Sequence, residues 1–355
     1  MTDQRLIHLR KLMAEQGLDA VIVTKPENRR YFSGFSGSAG MLLISEQAQI
    51  LFTDFRYIEQ AKKQAPDYEI VRHGASMFTT LAEHINKREF VRVGFESDYV
   101  TWDTHQKLIE HLSRLELRPI NLDMLRKIKE QAELKLIQHA VQIADAAFDH
   151  ILTIIRPGIS ELEIALQLEY QMRKLGSEKP AFDTIVASGF RGALPHGQAS
   201  DKIIEAGDFV TMDFGAVYQG YHSDITRTVV AGKATNKQRE IYDIVLNAQL
   251  ASIAALTATK TGVEIDLIAR QIIADAGYAD NFGHALGHGV GLAIHEEPRL
   301  SSAYTDELAA NMVVSVEPGI YLPDWGGVRI EDLVVISAAG CQVLTASNKK
   351  LIELN

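Results

Sequence analysis

The sequence predicts an α+β protein in two parts, a small α/β domain followed by a larger domain built from two related halves. Three observations carry this expectation. Strand and helix signals alternate through the first 125 residues, a weak repeat with an offset of 104 runs through the remainder, and four carboxylates interrupt apolar strands at positions tied to that repeat. A chain of 355 residues, 46% hydrophobic and 23% charged, has interior enough for two such domains and lacks the make-up of a disordered, collagen-like or coiled-coil protein.

Leu6, Leu9, Leu12 and Met13 share one face of an opening helix that Gly17 stops, and residues 19–24 then read as a buried strand. Further strand-like runs fall at 41–45, 49–53, 69–72 and 91–95, separated by helical patterns near 55–65, 77–85 and 101–112, an alternation that suggests βαβ units. A long helical stretch over 130–154 follows. Pro157-Gly158 breaks it before a second helix from about 160 to 175. The boundary is placed near residue 125, giving domains 1–125 and 126–355.

Within the second domain, Pro157-Gly-Ile-Ser-Glu-Leu-Glu163 is similar to Thr261-Gly-Val-Glu-Ile-Asp266 with one residue deleted, and each opens a helical pattern. The offset of 104 also lays residues 210–215 over 314–319, two apolar strands each interrupted by a carboxylate, Asp213 and Glu317. If the first strand returns through a hairpin symmetric about residues 218 and 219, Asp213 lies directly opposite Asp224. In the second, symmetry about Asp324 sets Glu331 opposite Glu317. Like charges facing each other across a ladder are destabilising unless something positive lies between them, so each pair asks for a cation. A single acidic residue in a strand usually means a surface or a salt bridge. Four of them paired by turn geometry do not.

Residues 283–295 lie between the hairpins and hold His284, His288 and His295 among four glycines, a composition that disfavours a helix and lets backbone approach something closely. The stretch His295-Glu-Glu-Pro-Arg299 has no second histidine four residues on, so it is no zincin helix, and the glycines do not fit the G-x-G-x-x-G spacing. One imidazole with four carboxylates makes an oxygen-rich set, suited to manganese, magnesium or cobalt more than to structural zinc. Two divalent ions would neutralise the four carboxylates, and paired ions activate water and polarise a carbonyl, which is the chemistry of hydrolysis.

Thirty-six basic against 46 acidic side chains give a net charge of −10, which argues against nucleic acid or an anionic membrane as partner. Residues 1–125 carry 16 basic and 17 acidic groups, residues 126–355 carry 20 and 29, so the acidity gathers in the part that holds the carboxylate pairs. No apolar run reaches membrane-span length, no apolar signal segment opens the sequence, and Cys341 is its single cysteine. These features predict a cytoplasmic protein.

The second domain resembles the pita-bread metallopeptidases, specifically the Xaa-Pro peptidases (prolidase and aminopeptidase P), through Asp213, Asp224 in Ser-Asp-Ile-Thr-Arg, His288 in His-Gly-Val-Gly, Glu317 in Val-Glu-Pro-Gly and Glu331 in Arg-Ile-Glu-Asp, in that order. The first domain resembles the family's creatinase-type amino-terminal domain. A departure is Ala285, where the family more often has glycine. The resemblance implies a pita-bread fold with pseudo-two-fold halves and two divalent ions per subunit, Mn²⁺ first, with Co²⁺ and Zn²⁺ as alternatives. Asp224 and Glu331 would bridge the ions, Asp213 would complete one, and His288 and Glu317 the other. Glu317 would also shuttle the proton. His196 and His295 would position substrate and stabilise the tetrahedral intermediate, and His284 would line the pocket. Arg329 lies two residues before Glu331 and so on the same strand face, where its guanidinium either holds a carboxylate in place for the site or makes a plain structural salt bridge.

The implied reaction is hydrolysis of the Xaa-Pro bond in dipeptides or at peptide amino termini, on proline-containing di- or oligopeptides, by a homodimer. Proline motivates a dedicated enzyme because its amide nitrogen carries no hydrogen for an extended-chain binding site to grip. Phe182, Tyr218 and Tyr321 are aromatic candidates for the ring pocket. The alternatives are an aminopeptidase without strict proline preference and a non-catalytic peptide-binding protein on the same scaffold.

Overall fold

A computed structural model describes residues 2–354, and its contacts divide the chain into two units, Met1–Arg126 and Lys127–Asn355. In the first, helix α1 (Thr2–Gln16) ends at Gly17, whose φ of 64° is the left-handed turn that glycine adopts without strain. There follow β1 (Ala20–Val23), α2 (Pro26–Ser33), β2 (Met41–Ser45), β3 (Gln49–Thr53), α3 (Ile58–Gln64), β4 (Glu69–Arg72), α4 (Met77–Asn86), β5 (Arg92–Phe95), α5 (Trp102–His111) and β6 (Glu116–Pro119). The sheet runs in the order β4-β3-β2-β1-β5-β6. Its centre is an antiparallel meander of β1, β2 and β3, with β4 and the pair β5, β6 added in parallel, so the domain is not the uniform run of βαβ units that the alternation suggested.

The second unit holds two helix pairs, two larger sheets and two two-stranded ribbons, β9-β10 and β15-β16, among the described residues. Helices α6 (Gln131–Ile151) and α7 (Glu161–Lys174) lead into β7 (Ile185–Ser188) and β8 (Phe209–Phe214). The short strands β9 (Val217–Tyr218) and β10 (Tyr221–His222) lead on to β11 (Ile225–Ala231). Helices α8 (Asn236–Ala255) and α9 (Gly262–Asp275) then open the second half. They precede β12 (Gly287–Gly289), β13 (Glu296–Leu300), β14 (Val313–Val316), β15 (Gly319–Leu322), β16 (Gly326–Arg329), β17 (Asp332–Ser337) and β18 (Gly340–Val343). A last strand, β19 (Glu353–Leu354), returns to the first half, whose sheet order is β19-β11-β8-β7, while the second half's is β13-β12-β14-β17-β18.

Side-chain caps start the helices of both halves. Ser160 accepts from the Glu163 amide at α7, and Thr261 from the Glu264 amide at α9, so each repeated segment starts a helix, but the cap is the fourth residue of the Pro157 segment and the first of the Thr261 segment, three positions away from the alignment of the two sequences. Each half has its own core. Ile143, Phe148, Leu168, Met212 and Val229 pack together in the first, and Ile241, Val245, Ile273, Val314 and Val334 in the second. Strand β8, which bears Asp213, and β14, which Glu317 directly follows, occupy interior positions of their sheets.

Candidate metal centre

The first hairpin turns one residue later than the symmetry argument placed it. Tyr218 pairs with Tyr221, so the turn is Gln219-Gly220, with φ of 46° and 79°, both in the left-handed region that a two-residue hairpin loop requires. Asp213 therefore lies opposite Thr226, and Asp224 stands two residues off, in a break between β10 and β11 where the ladder is interrupted at residues 223 and 224. The expected direct opposition of Asp213 and Asp224 is thus replaced by a diagonal one. In the second hairpin the expected register is observed. Val316 pairs with Asp332 and Gly319 with Arg329, which brackets Glu317 and Glu331 across the ladder.

The segment holding three histidines contains no helix but the short strand β12, paired with β13 on one side and β14 on the other. His288 sits in β12, and its ring packs edge-on against His295 with centroids 4.4 Å apart. Its Nδ1 lies 3.0 Å from the Gly289 carbonyl, an arrangement that sets the proton on Nδ1 and turns Nε2 towards two carboxylates, Glu317 at 3.3 Å and Asp224 at 3.5 Å. A lone pair aimed at two carboxylate oxygens needs a proton or a cation between them. Ligand atoms of Asp224, His288 and Glu331 all lie within 4.8 Å of one another.

The surrounding hydrogen bonds orient these groups and leave selected oxygens bare. Arg329, itself buried, donates from Nη2 to Asp213 Oδ2 (2.7 Å), from Nε to Thr226 Oγ1 (3.1 Å), and from Nη1 to the Tyr321 hydroxyl (2.9 Å) and the Pro195 carbonyl (3.1 Å). Thr226 Oγ1 donates to Glu331 Oε2 at 2.8 Å, and Ser315 Oγ donates to Glu317 Oε1 at 3.0 Å while accepting the His288 amide. Asp213 Oδ1, Asp224 Oδ1 and Glu331 Oε1 are buried with no partner at all. Three orphaned anionic acceptors at one point are costly in a folded interior, and a divalent cation is the group that their chemistry fits.

The protonation energetics follow from this crowding. Burial, then the neighbouring Glu331, Asp213 and Glu317 charges, hold the Asp224 carboxyl well above the usual carboxylate range, and burial with Glu317 and Asp213 does the same for Glu331. Burial also raises Asp213, against the pull of Arg329. Glu317 goes the other way: burial pushes it up, but the hydrogen bond and charge of His288 outweigh that and hold it at about 2. Desolvation, followed by the neighbouring His288, lowers His295 to about 4.

All five predicted ligands line one cavity of about 420 Å³, together with His196, His284, His295 and Arg329. His196 and His295 are open to it, whereas both ring nitrogens of His284 are engaged, Nδ1 at the Ala285 carbonyl and Nε2 at the Tyr321 hydroxyl. Of the aromatic candidates, Phe182 and Tyr321 line the cavity. Tyr218 is not in its lining but packs on His139, ring centroids 4.0 Å apart. Of the lining residues that the sequence does not single out, Arg299 stands apart: it pairs with His288 across the β12–β13 ladder, and among the described residues its guanidinium has no hydrogen bond or ion pair. Its sequence signal is its place four residues beyond His295, where a zincin helix would have a second histidine.

An oxygen-rich buried centre assembled from two similar half-domains defines a class of two-metal hydrolases, and the chain belongs to metallopeptidase family M24. The family model matches residues 135–338, and the Creatinase/Prolidase N-terminal domain matches residues 5–128. Enzymes of this family depend on two divalent ions, and the second unit has their pita-bread fold. The chain is 43% identical to an Xaa-Pro dipeptidase of Pyrococcus furiosus, over 98% of this chain and 99% of that one. Among solved structures it is similar to an Xaa-Pro dipeptidase from Bacillus anthracis (46% identity, TM-score 0.97, 100% of both chains covered). It is also similar to an X-Pro aminopeptidase from Thermotoga maritima (40% identity, TM-score 0.90, 95% of this chain and 98% of that one). Among the described residues no helix is long and apolar enough to cross a membrane.

Proposed function

We propose that the protein hydrolyses the bond before proline in Xaa-Pro dipeptides, with two divalent ions held by Asp213, Asp224, His288, Glu317 and Glu331. The observation that carries the proposal is the meeting, in one cavity, of orphaned oxygens from Asp213, Asp224 and Glu331 with the uncommitted guanidinium of Arg299. When bound, such ions supply Lewis acidity that polarises a carbonyl and lowers the pKa of a water. Glu317, oriented by the Ser315 hydroxyl on its Oε1, would take the water's proton and pass it to the departing nitrogen. The prolyl nitrogen carries no hydrogen in the peptide, so that delivery is required for it to leave.

His295, held at about 4, is neutral at physiological pH and with His196 offers an N–H to the carbonyl oxygen as it gains charge. His284 forms wall, its nitrogens being occupied. Arg329 serves by fixing Asp213 and not by gripping substrate. In a dipeptide the carboxylate directly follows the proline ring and is a bidentate match for Arg299, whereas a longer peptide presents an amide there. This favours dipeptidase over aminopeptidase, the second reading that the Thermotoga relative keeps open.

The oxygen-rich ligand set supports Mn²⁺ as the native metal, with Co²⁺ and Zn²⁺ as alternatives. The lone Cys341 and the family's habits support a cytoplasmic homodimer, with residues 1–125 as its amino-terminal domain and 126–355 as the catalytic one. Chelation followed by Mn²⁺ addition should abolish and restore hydrolysis of Ala-Pro, with Ala-Pro-Ala and Ala-Ala cleaved far more slowly. A fully metallated preparation that leaves Ala-Pro intact would overturn the proposal, and equal rates on the tripeptide would convert it to the aminopeptidase reading.

A further inference from the structure

The loop that carries His196 is fastened at both ends to a single buried carboxylate. Glu161, fully buried at the first position of α7, accepts through Oε1 from the Ser188 amide (2.7 Å) and hydroxyl (2.8 Å), at the point where β7 ends and the loop begins. Through Oε2 it accepts from the Ser200 amide (3.2 Å) and hydroxyl (2.7 Å), where the loop closes, and it also takes the Arg191 guanidinium from the loop's middle. Arg191 in turn donates to the Gln198 carbonyl at 2.8 Å. The backbone reinforces this, the Leu162 amide donating to the Ser200 carbonyl at 2.9 Å.

Further along, the loop meets the hairpin that carries Arg329. Gly192 lies so close to Gly327 that a Cβ on Gly327 would sit 2.2 Å from the Gly192 carbonyl, and the Pro195 carbonyl accepts from Arg329. His196 itself makes no side-chain hydrogen bond among the described residues and stands open to the cavity. Its position is therefore set by the loop's anchors and not by contacts of its own ring. Two loop ends held by one rigid group leave few conformations between them, which is how a side chain without local partners can be kept in place.

We propose that Glu161 is a positioning residue for hydrolysis, acting through the loop of residues 188–200 to hold His196 over the metal centre. The proposal rests on the reading of His196 as a catalytic group. Replacing Glu161 with glutamine keeps an acceptor for Ser188 but turns an NH₂ towards the Ser200 and Arg191 donors, which releases the closing end of the loop. E161Q should bind Mn²⁺ in unchanged stoichiometry, because none of the five proposed ligands lies on the loop, while kcat/KM for Ala-Pro falls about tenfold or more. In an H196A background the same change should cost less than about twofold, since there is no imidazole left to position.

Ser200→Ala, a milder change at a partly exposed site, should show the same pattern at about threefold, and it carries the test if E161Q does not fold. Multiplicative losses in the double variants would overturn the proposal, as would wild-type rates for E161Q and S200A in the presence of an impaired H196A. Wild-type activity of H196A alone would overturn the underlying reading of that histidine, a result distinguishable from the other two.

Discussion

Glu331 and Asp332 are adjacent in sequence and almost equally buried, yet the wall of the cavity and the interior directly behind it treat them in opposite ways. Asp332 is covered. Arg227 donates to its Oδ1 at 2.7 Å, Gln249 to its Oδ2 at 2.8 Å, and Lys349 pairs with it as well. Burial pushes its carboxyl up, but Arg227 and Lys349 more than offset this and hold it below the usual range. Glu331 has one donor, Thr226, an orphaned Oε1, and a carboxyl held well above that range. Glu161 belongs with Asp332, saturated by neighbouring donors. The contrast separates two uses of a buried carboxylate: one satisfied by the protein holds structure, and one left bare is reserved for something the chain does not contain.

The sharpest way to break this distinction is to neutralise one member of each kind. Asp224→Asn or Glu331→Gln should lower kcat/KM for Ala-Pro by about 10³ or more and reduce bound Mn²⁺, read by elemental analysis. The metal-free variants should unfold no more easily than the metal-free parent, because a repulsion has been removed. Asp332→Asn should show the reverse: bound metal retained, and stability to urea reduced by about 3–5 kcal/mol, because Arg227 and Lys349 lose their buried counter-charge. If Asp332→Asn loses metal while its stability is unchanged, the two classes collapse into one.

Smaller effects sharpen the boundary. Tyr321→Phe removes a hydroxyl bonded to Arg329 and to His284 while leaving every proposed ligand, and a hydrogen bond to a charged group is worth about 1.5–3 kcal/mol, so stability to urea should fall by about that much while bound Mn²⁺ is retained. Arg299 extends the rule to donors, since it too is bare. Arg299→Met should raise KM for Ala-Pro by about tenfold and leave the slow cleavage of Ala-Pro-Ala unchanged; equal loss on both would show that Arg299 does not read the carboxylate.

The pH dependence of stability gives the mildest test. Without ions, Asp224 and Glu331 hold protons when folded more tightly than when unfolded. They therefore favour the folded chain below the ordinary carboxylate value of about 4, and that contribution is lost as pH rises through their raised values. Asp332 acts oppositely, favouring the fold above about 4 and ceasing to as pH falls through its lowered value. The gap in unfolding temperature between metal-loaded and chelated protein should therefore widen from pH 5 to pH 8. A flat gap would mean that the cavity carboxylates are not the bare class.

Much of this was legible in residue order. Strands at 41–45, 49–53 and 69–72 and the helix starting at Met77 fall where alternation and turn residues set them, and the Glu317 and Glu331 register followed from counting about Asp324. The first hairpin was misregistered because two left-handed residues, Gln219 and Gly220, form the turn, and glutamine seldom signals that conformation. The sheet order of the first domain, and the short helix Pro26–Ser33, depend on tertiary packing that periodicity does not encode. Arg299 was passed over for a similar reason: a basic residue in a strand declares itself only when its neighbours are seen to leave it unpaired.

The two half-domains keep separate apolar cores, while the bare oxygens come from both, Asp213 and Asp224 on one side and Glu331 on the other. Ions seated among them would act as a rivet between parts that are each folded already. Stripped protein should then keep its far-ultraviolet circular dichroism while losing all turnover, so a preparation judged by helicity would pass inspection and still be dead.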